Sequence, residues 1–279
     1  KISEDYLTKS NIPEGIIEGK EFTLNEHEEV ISEHVAKTVN HFEKEFKEPV
    51  DNAVLYLKLG YYKQLHGEPE TAISYFKKAK EVAEKKDDKE HLAISYLNLG
   101  KLYKDKGEKD ETLRYYKTGM EISEENDFKE ILVDILNNLG VLHREIGDVP
   151  EAIGYLERAL ELNKEIGYQD GISLNYNNLG QCYQTFGNID EALEHYQKAL
   201  GIAEAQDNLR DIGVLNNKIG VLFLNKGMIE KAKRYFDEAL KINEENNYPG
   251  EIANSYNNLG QVYIVQGKLD EAIKYFKKA

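Results

Sequence analysis

The sequence predicts an all-α fold, an α-α superhelix (solenoid) of six helix pairs with an extra N-terminal helix, on three observations. A glycine recurs at Gly60, Gly100, Gly140, Gly180, Gly220 and Gly260, forty residues apart, each after Leu or Ile. A second glycine keeps the same step seven residues later, at Gly67, Gly107, Gly147, Gly187, Gly227 and Gly267. Small and bulky residues repeat in the same register around both. A fixed period of about 20 to 50 residues is the mark of a solenoid or array, in which each unit buries its apolar face against its neighbours.

Taken in order, residues 1–23 carry weak periodicity and a turn signal around Pro13, so an extended lead-in is expected there. From Asn25, a capping residue with Glu28 three positions on, Ile31, Val35, Val39, Phe42 and Phe46 recur at helical spacing to about Lys47. This helix lacks both glycines and reads as a capping or degenerate element, so residues 1–50 form one region and 51–279 the repeats. Pro49 suits the first turn that opens the repeats. The six units run over about 53–92, 93–132, 133–172, 173–212, 213–252 and a truncated 253–279.

Each unit reads as two helices. The first, such as Glu90 to Lys106, runs into the second glycine; the second, such as Lys109 to about Glu125, opens with acidic residues that suit a helix N-terminus. Pro69 and Pro150 mark the start of second helices, and Asp87, Asp127, Gly167, Asp207 and Asn247 stand at matching stops, residue types that tolerate the turn a helix end demands. With position 1 at Ala53, Ala93, Val133, Ser173, Gly213 and Ala253, position 8 is always glycine and position 20 is Ala or Thr112. Position 24 is Phe76, Tyr116, Leu156, Tyr196, Phe236 and Phe276, and position 27 is Ala or Gly119. Small residues at 8, 20 and 27 let helices approach closely, and large ones at 4, 7, 11 and 24 fill the space between.

In these residues the chain resembles the tetratricopeptide repeat family over 53–279, with two departures. The step is forty where the family's typical repeat is about 34, and the proline that often ends the family's repeat is absent. Asn216 also replaces a bulky residue at position 4 of the fifth unit, which predicts a looser seam there. Forty-residue relatives include peptide-binding adaptors and bacterial sensor or regulatory proteins.

At about 100° per residue, positions 2, 5, 6 and 9 of each first helix lie opposite its 4, 7, 8, 11 stripe. Of these 24 positions only Lys58, Lys101, Asp134 and Lys218 are charged, where a chain with 31% charged residues would place about seven. Asn98, Asn137, Asn138, Asn177, Asn178, Asn217, Asn257, Asn258, Gln181 and Gln261 stand there instead, with apolar neighbours such as Val54, Leu97, Val141 and Val221. An amide offers both a donor and an acceptor, which the backbone of an extended peptide requires. The resemblance implies that such rows line an inner groove; these amides, with Lys101, Arg144 and Lys218, are the expected peptide-binding residues. The alternative is that contact with the next unit consumes them. The family's clamp for acidic chaperone tails is not expected: Leu57, Tyr61 and Asp134 occupy its positions and only Asn98 matches.

Other chemistry is poorly supported. The net charge of −15 argues against nucleic acid and anionic membranes as partners. Nothing resembles a secretory signal, no apolar run nears the roughly 20 residues that span a bilayer, and the lone Cys182 can form no internal disulfide, so a cytoplasmic location is expected. His27, His34 and His41 recur every seven residues, about 10 Å apart on a helix, too far to share a metal. His143 and Cys182 occupy packing positions, and no catalytic motif, metal spacing or cofactor loop is present. The expectation is a non-catalytic scaffold without cofactors that binds a protein or peptide, including a segment of its own parent chain. The alternatives are the sensory region of a larger signalling protein, or a peptide-responsive protein that binds response regulators. The short final unit and the absence of an initiator Met at Lys1 point to a longer parent chain.

Overall fold

The structure, a computed structural model, describes residues 51–279 together with Lys37, Asn40, His41 and Lys44, which are helical. The expected lead-in, the 25–47 helix as a whole, Pro49, His27 and His34 lie outside the described residues. Residues 51–279 form twelve helices and no strand. They are α1 (Ala53–Leu65), α2 (Pro69–Lys86), α3 (Lys89–Asp105), α4 (Lys109–Glu125), α5 (Lys129–Glu145) and α6 (Val149–Ile166). There follow α7 (Gln169–Phe186), α8 (Ile189–Ala205), α9 (Leu209–Asn225), α10 (Ile229–Glu245), α11 (Pro249–Val265) and α12 (Leu269–Phe276). Of the two helices whose bounds were expected, Lys109–Glu125 runs as expected and the one before it is shifted by one residue, Lys106 being the C-cap of α3 rather than its last turn.

Local chemistry sets each boundary. The side chains of Asn52, Asp88 and Asn208 accept hydrogen bonds from backbone N–H groups three residues on, satisfying donors that the first helical turn leaves open. Pro69 and Pro249 occupy the first position of α2 and α11, and Pro150 the second of α6, where a missing N–H costs nothing. Between α3 and α4, Glu108 N–H donates to Tyr103 O at 3.0 Å and Gly107 N–H to Lys104 O at 2.9 Å, closing the helix end over a residue with positive φ. At the ends of the second helices, Asp87, Asp127, Asp207 and Asn247 adopt φ of 52–56°, the left-handed conformation that Asp and Asn tolerate better than other side chains.

The described residues up to Asn138 form one compact unit and those from Leu139 another, so the division falls in the sequence of α5. In the first, α1 packs on α2, α2 on α3 and α3 on α4, around a core that includes Tyr56, Phe76, Leu99 and Tyr115. In the second, α6 to α12 pack each on the next along the chain, except that the first helices α9 and α11 also touch directly, as α1 and α3 do in the first unit. Its core includes Leu156, Leu179 and Cys182, and Tyr196, Leu222 and Phe236.

The position 8 glycine exists for the position 24 ring. A Cβ on Gly180 would lie 2.6 Å from Cδ1 of Tyr196, and one on Gly100 within contact of Tyr116, so each bulky residue lies flat on a bare stretch of backbone. A column that the sequence reading passed over adds a second lock. Position 23 holds Tyr75, Tyr115, Tyr155, His195, Tyr235 and Tyr275. Tyr115 stacks on Tyr103 at 5.1 Å, His195 on Tyr183 at 5.1 Å, Tyr235 on Phe223 at 5.4 Å and Tyr275 on Tyr263 at 4.9 Å. His143 is thus a packing residue, its ring 5.3 Å from that of Tyr155. Asn216 is buried in the core stripe of α9.

Candidate functional site

The amide positions sit on first helices, and the burial of each follows from how adjacent first helices meet. In the first unit Asn98 and Asn137 are buried and Asn138 half-buried. Asn98 and Asn138 each donate from Nδ2 to the carbonyl four residues back, Ile94 O and Asp134 O, at 2.8 Å. Lys101 is half-buried, its Nζ 3.9 Å from Asp134 Oδ2. Tyr61 stands beside Asn98, and its phenol is pushed up beyond the usual range by burial, with Asn98 opposing. Burial also raises the Asp134 carboxyl, with Lys101 opposing, although 48% of that side chain's surface meets solvent. The two facts agree for a group that water touches on one side while protein fills most of the space around it.

In the second unit the amides link successive first helices. Lys218 Nζ donates to Asn177 Oδ1 at 2.6 Å, and Asn258 Nδ2 to Asn217 Oδ1 at 3.1 Å. Asn217 Nδ2 donates to Ser255 Oγ at 2.8 Å. Asn178 and Asn217 are buried, Asn177, Gln181 and Asn258 half-buried, and Asn257 and Gln261 exposed. The structure therefore spends several of these side chains in seams between neighbouring first helices and leaves others within reach of solvent. Positions 5 and 6 supply the inter-helix bonds; position 9 lies farther round the helix and keeps its surface.

Two cations stand out. Lys218 is half-buried, and burial, with the charge of Arg144 as second cause, lowers its ammonium to about 8; Asp211 and Glu251 oppose. Its Nζ lies 5.6 Å from the centre of the Tyr196 ring, whose hydroxyl donates to Gln184 Oε1 at 2.9 Å. Arg144 acts electrostatically on Lys218, Tyr196 and Cys182. Arg144 and Gln184 occupy position 12, which a helix places in the same row as 2, 5 and 9. Extending the four-position stripe by one turn would have brought Gln184 into the sequence reading.

Nothing in this row resembles a reaction centre. Cys182 is fully buried and its thiol is pushed up to about 11 by burial, so a thiolate is scarce. Among the described residues no cluster of His, Cys, Asp or Glu is placed to hold a metal, and no helix is long and apolar enough to cross a membrane.

The tetratricopeptide repeat model matches residues 51–125, 132–205 and 211–279. The chain belongs to the tetratricopeptide repeat family. No curated protein matches it in sequence. Among solved structures it is similar to the apo form of RapI, at 15% identity and TM-score 0.71, covering 90% of this chain and 89% of that one. A Rap protein complexed with Competence and Sporulation Factor is similar at 17% identity and TM-score 0.66, over 92% of this chain and 76% of that one. A signal-transduction ATPase with numerous domains from Pyrococcus horikoshii, which has a tetratricopeptide repeat sensor, is similar at 23% identity and TM-score 0.70. That match covers 81% of this chain and 36% of the ATPase. At these identities the likeness is one of fold.

Proposed function

We propose that this tetratricopeptide repeat chain is a non-catalytic interaction module whose first helices hold an extended segment of another protein or of its parent chain. The observation that carries the reading is the row of half-buried and exposed amides on first helices, Asn138, Asn177, Gln181, Asn257, Asn258 and Gln261, accompanied by Lys101, Arg144 and Lys218. Such side chains bond a peptide backbone regardless of its sequence, while intervening Val141 and Val221, also half-buried, accept apolar side chains. Asn98, Asn137, Asn178 and Asn217 support the row from beneath, since their polar groups are buried. Fold likeness to a Rap protein complexed with Competence and Sporulation Factor supports a bound partner on this scaffold. A net charge of −15 disfavours nucleic acid, and a lone buried cysteine suits the cytoplasm.

The test replaces Asn138, Asn177 and Asn258 together by Ala and measures capture of a randomised dodecapeptide library by the full chain. Loss of capture with unchanged helical circular dichroism is expected; retained capture refutes the reading. A second reading, the sensory region of a larger signalling protein, is favoured by the match to 36% of the P. horikoshii ATPase. It is tested by reading the gene on both sides for an output domain.

A further inference from the structure

Four hydrogen bonds lead from the half-buried amide of Asn258 into the core between α9, α10 and α11. Asn258 on α11 donates from Nδ2 to Asn217 Oδ1 on α9 at 3.1 Å, and Asn217 Nδ2 donates to Ser255 Oγ at 2.8 Å. Asn243, on the second helix α10, donates from Nδ2 to the same Oγ at 3.3 Å, and the Ser255 hydroxyl donates to Glu251 O at 2.9 Å. Ser255 and Asn243 have no exposed surface and Asn217 is buried, whereas Asn258 reaches solvent. The sixth repeat alone sets a serine at position 3 after an asparagine at position 31 of the repeat before. Where Ser95 holds position 3, the preceding repeat has Ala83 at position 31 and Leu57 at position 5.

The serine fixes the direction of this chain of bonds. Its one hydroxyl hydrogen is spent on Glu251 O, so Oγ can only accept from its other neighbours, and both asparagines must turn Nδ2 toward it. Asn243 is held in that sense from its other side as well, because its Oδ1 rests against the bare Cα of Gly213, where a Cβ would collide with it. With Nδ2 committed to Ser255, Asn217 has Oδ1 left to offer Asn258, which answers with Nδ2. In the reverse direction Ser255 would donate to Asn217 Oδ1 and Asn217 Nδ2 to Asn258 Oδ1; with the bond from Asn243 to Ser255 that keeps three of the four, and water does not replace a bond lost at buried groups. Among the described residues nothing bonds Asn258 Oδ1, and since the arms of an amide diverge, this oxygen is turned away from the seam with Asn217. We propose that Ser255, Asn217 and Asn243 are positioning residues that set the polarity of Asn258, so that the row offers an acceptor there and takes a backbone N–H of the held segment. This rests on the peptide-holding reading above and adds to it the direction of one bond and the buried residues that impose it.

The experiment uses the full chain and two fluorescein-labelled dodecapeptide pools read by anisotropy. One pool has ordinary peptide bonds; in the other every second bond is an ester, which lacks the N–H donor and keeps the trans geometry. The ester pool should bind the wild type more weakly, and about fivefold of that penalty, the worth of one hydrogen bond, should vanish both in Asn258→Ala and in Ser255→Ala. Ser95→Ala removes a buried serine that donates to His91 O at the same position of the second repeat, and should leave the penalty whole. In wild-type chain carrying isotope-labelled asparagine, the Cγ resonance of Asn258 should move downfield when the peptide pool is added while its Nδ2 resonance holds, a readout that does not depend on any variant folding. No ester penalty in the wild type, a penalty that survives Asn258→Ala or Ser255→Ala intact, an equal loss in Ser95→Ala, or a shift of Nδ2 in place of Cγ overturns the assigned polarity and leaves the peptide reading intact. Binding of neither pool overturns both.

Discussion

Replacing Gly180 by Ala tests the packing that supports the candidate row. A Cβ there would lie 2.6 Å from both Cδ1 and Cε1 of Tyr196 and 3.1 Å from Cγ, so ring or helix must move by about 1 Å to reach normal contact. Tyr196 has no exposed surface, its hydroxyl is bonded to Gln184, and Lys218 stands over its ring, so withdrawal breaks other contacts. Overpacking of this kind costs about 1–3 kcal/mol, and the better helix propensity of Ala offsets about 1 kcal/mol. The net expectation is a loss of up to about 2 kcal/mol. Gly201→Ala is the control: it sits within α8, exposed, with nothing within 4 Å of the added atom, and should gain about 0.5–1 kcal/mol from propensity alone. Urea unfolding followed by circular dichroism reads both. The midpoint should fall for Gly180→Ala and rise for Gly201→Ala; a Gly180→Ala midpoint at or above wild type refutes the close-approach argument.

Further expectations follow from the buried bases. Lys218→Met should raise stability near neutral pH by about 1–2 kcal/mol, less than the roughly 3 kcal/mol that a drop from 10.5 to about 8 implies at full weight, because the side chain is half-buried. The folded state sheds this proton near 8 and the unfolded chain only near 10.4, so in wild type this group's cost fades as pH rises above about 8. The urea midpoints of wild type and Lys218→Met should therefore converge between about pH 7 and about pH 9.5; a constant gap contradicts the assignment. His195 is held below the usual imidazole value, first by burial and then by Lys198, with Glu194 and Glu191 opposing. The unfolded chain then takes up a proton near pH 6.5 that the folded state declines, so this group's contribution is present above that pH and is lost as pH falls through it. His195→Tyr, which installs the residue found in the other five units, should lessen the fall in midpoint between about pH 7 and about pH 5, and an identical acid response would refute the account.

The sequence alone determined the helix pairs and their boundaries. Gly180 and Tyr196 stand sixteen residues apart in a column repeated six times, and only a helix, a tight turn and a second helix bring them face to face. The stops at Asp87, Asp127, Asp207 and Asn247 were legible because left-handed backbone is tolerated by few side chains. The aromatic stack through position 23 was equally periodic and could have been found by following one more column. The fate of each amide was not legible. Asn137 and Asn257 share a position and a residue type, yet one is buried and the other exposed. The same holds for charge, since Lys101 finds Asp134 at 3.9 Å while among the described residues Lys218 forms no ion pair within 4.0 Å. Periodicity fixes which way a side chain leaves its own helix, whereas burial and pairing depend on atoms contributed by a helix forty residues away, and only the tertiary packing supplies those.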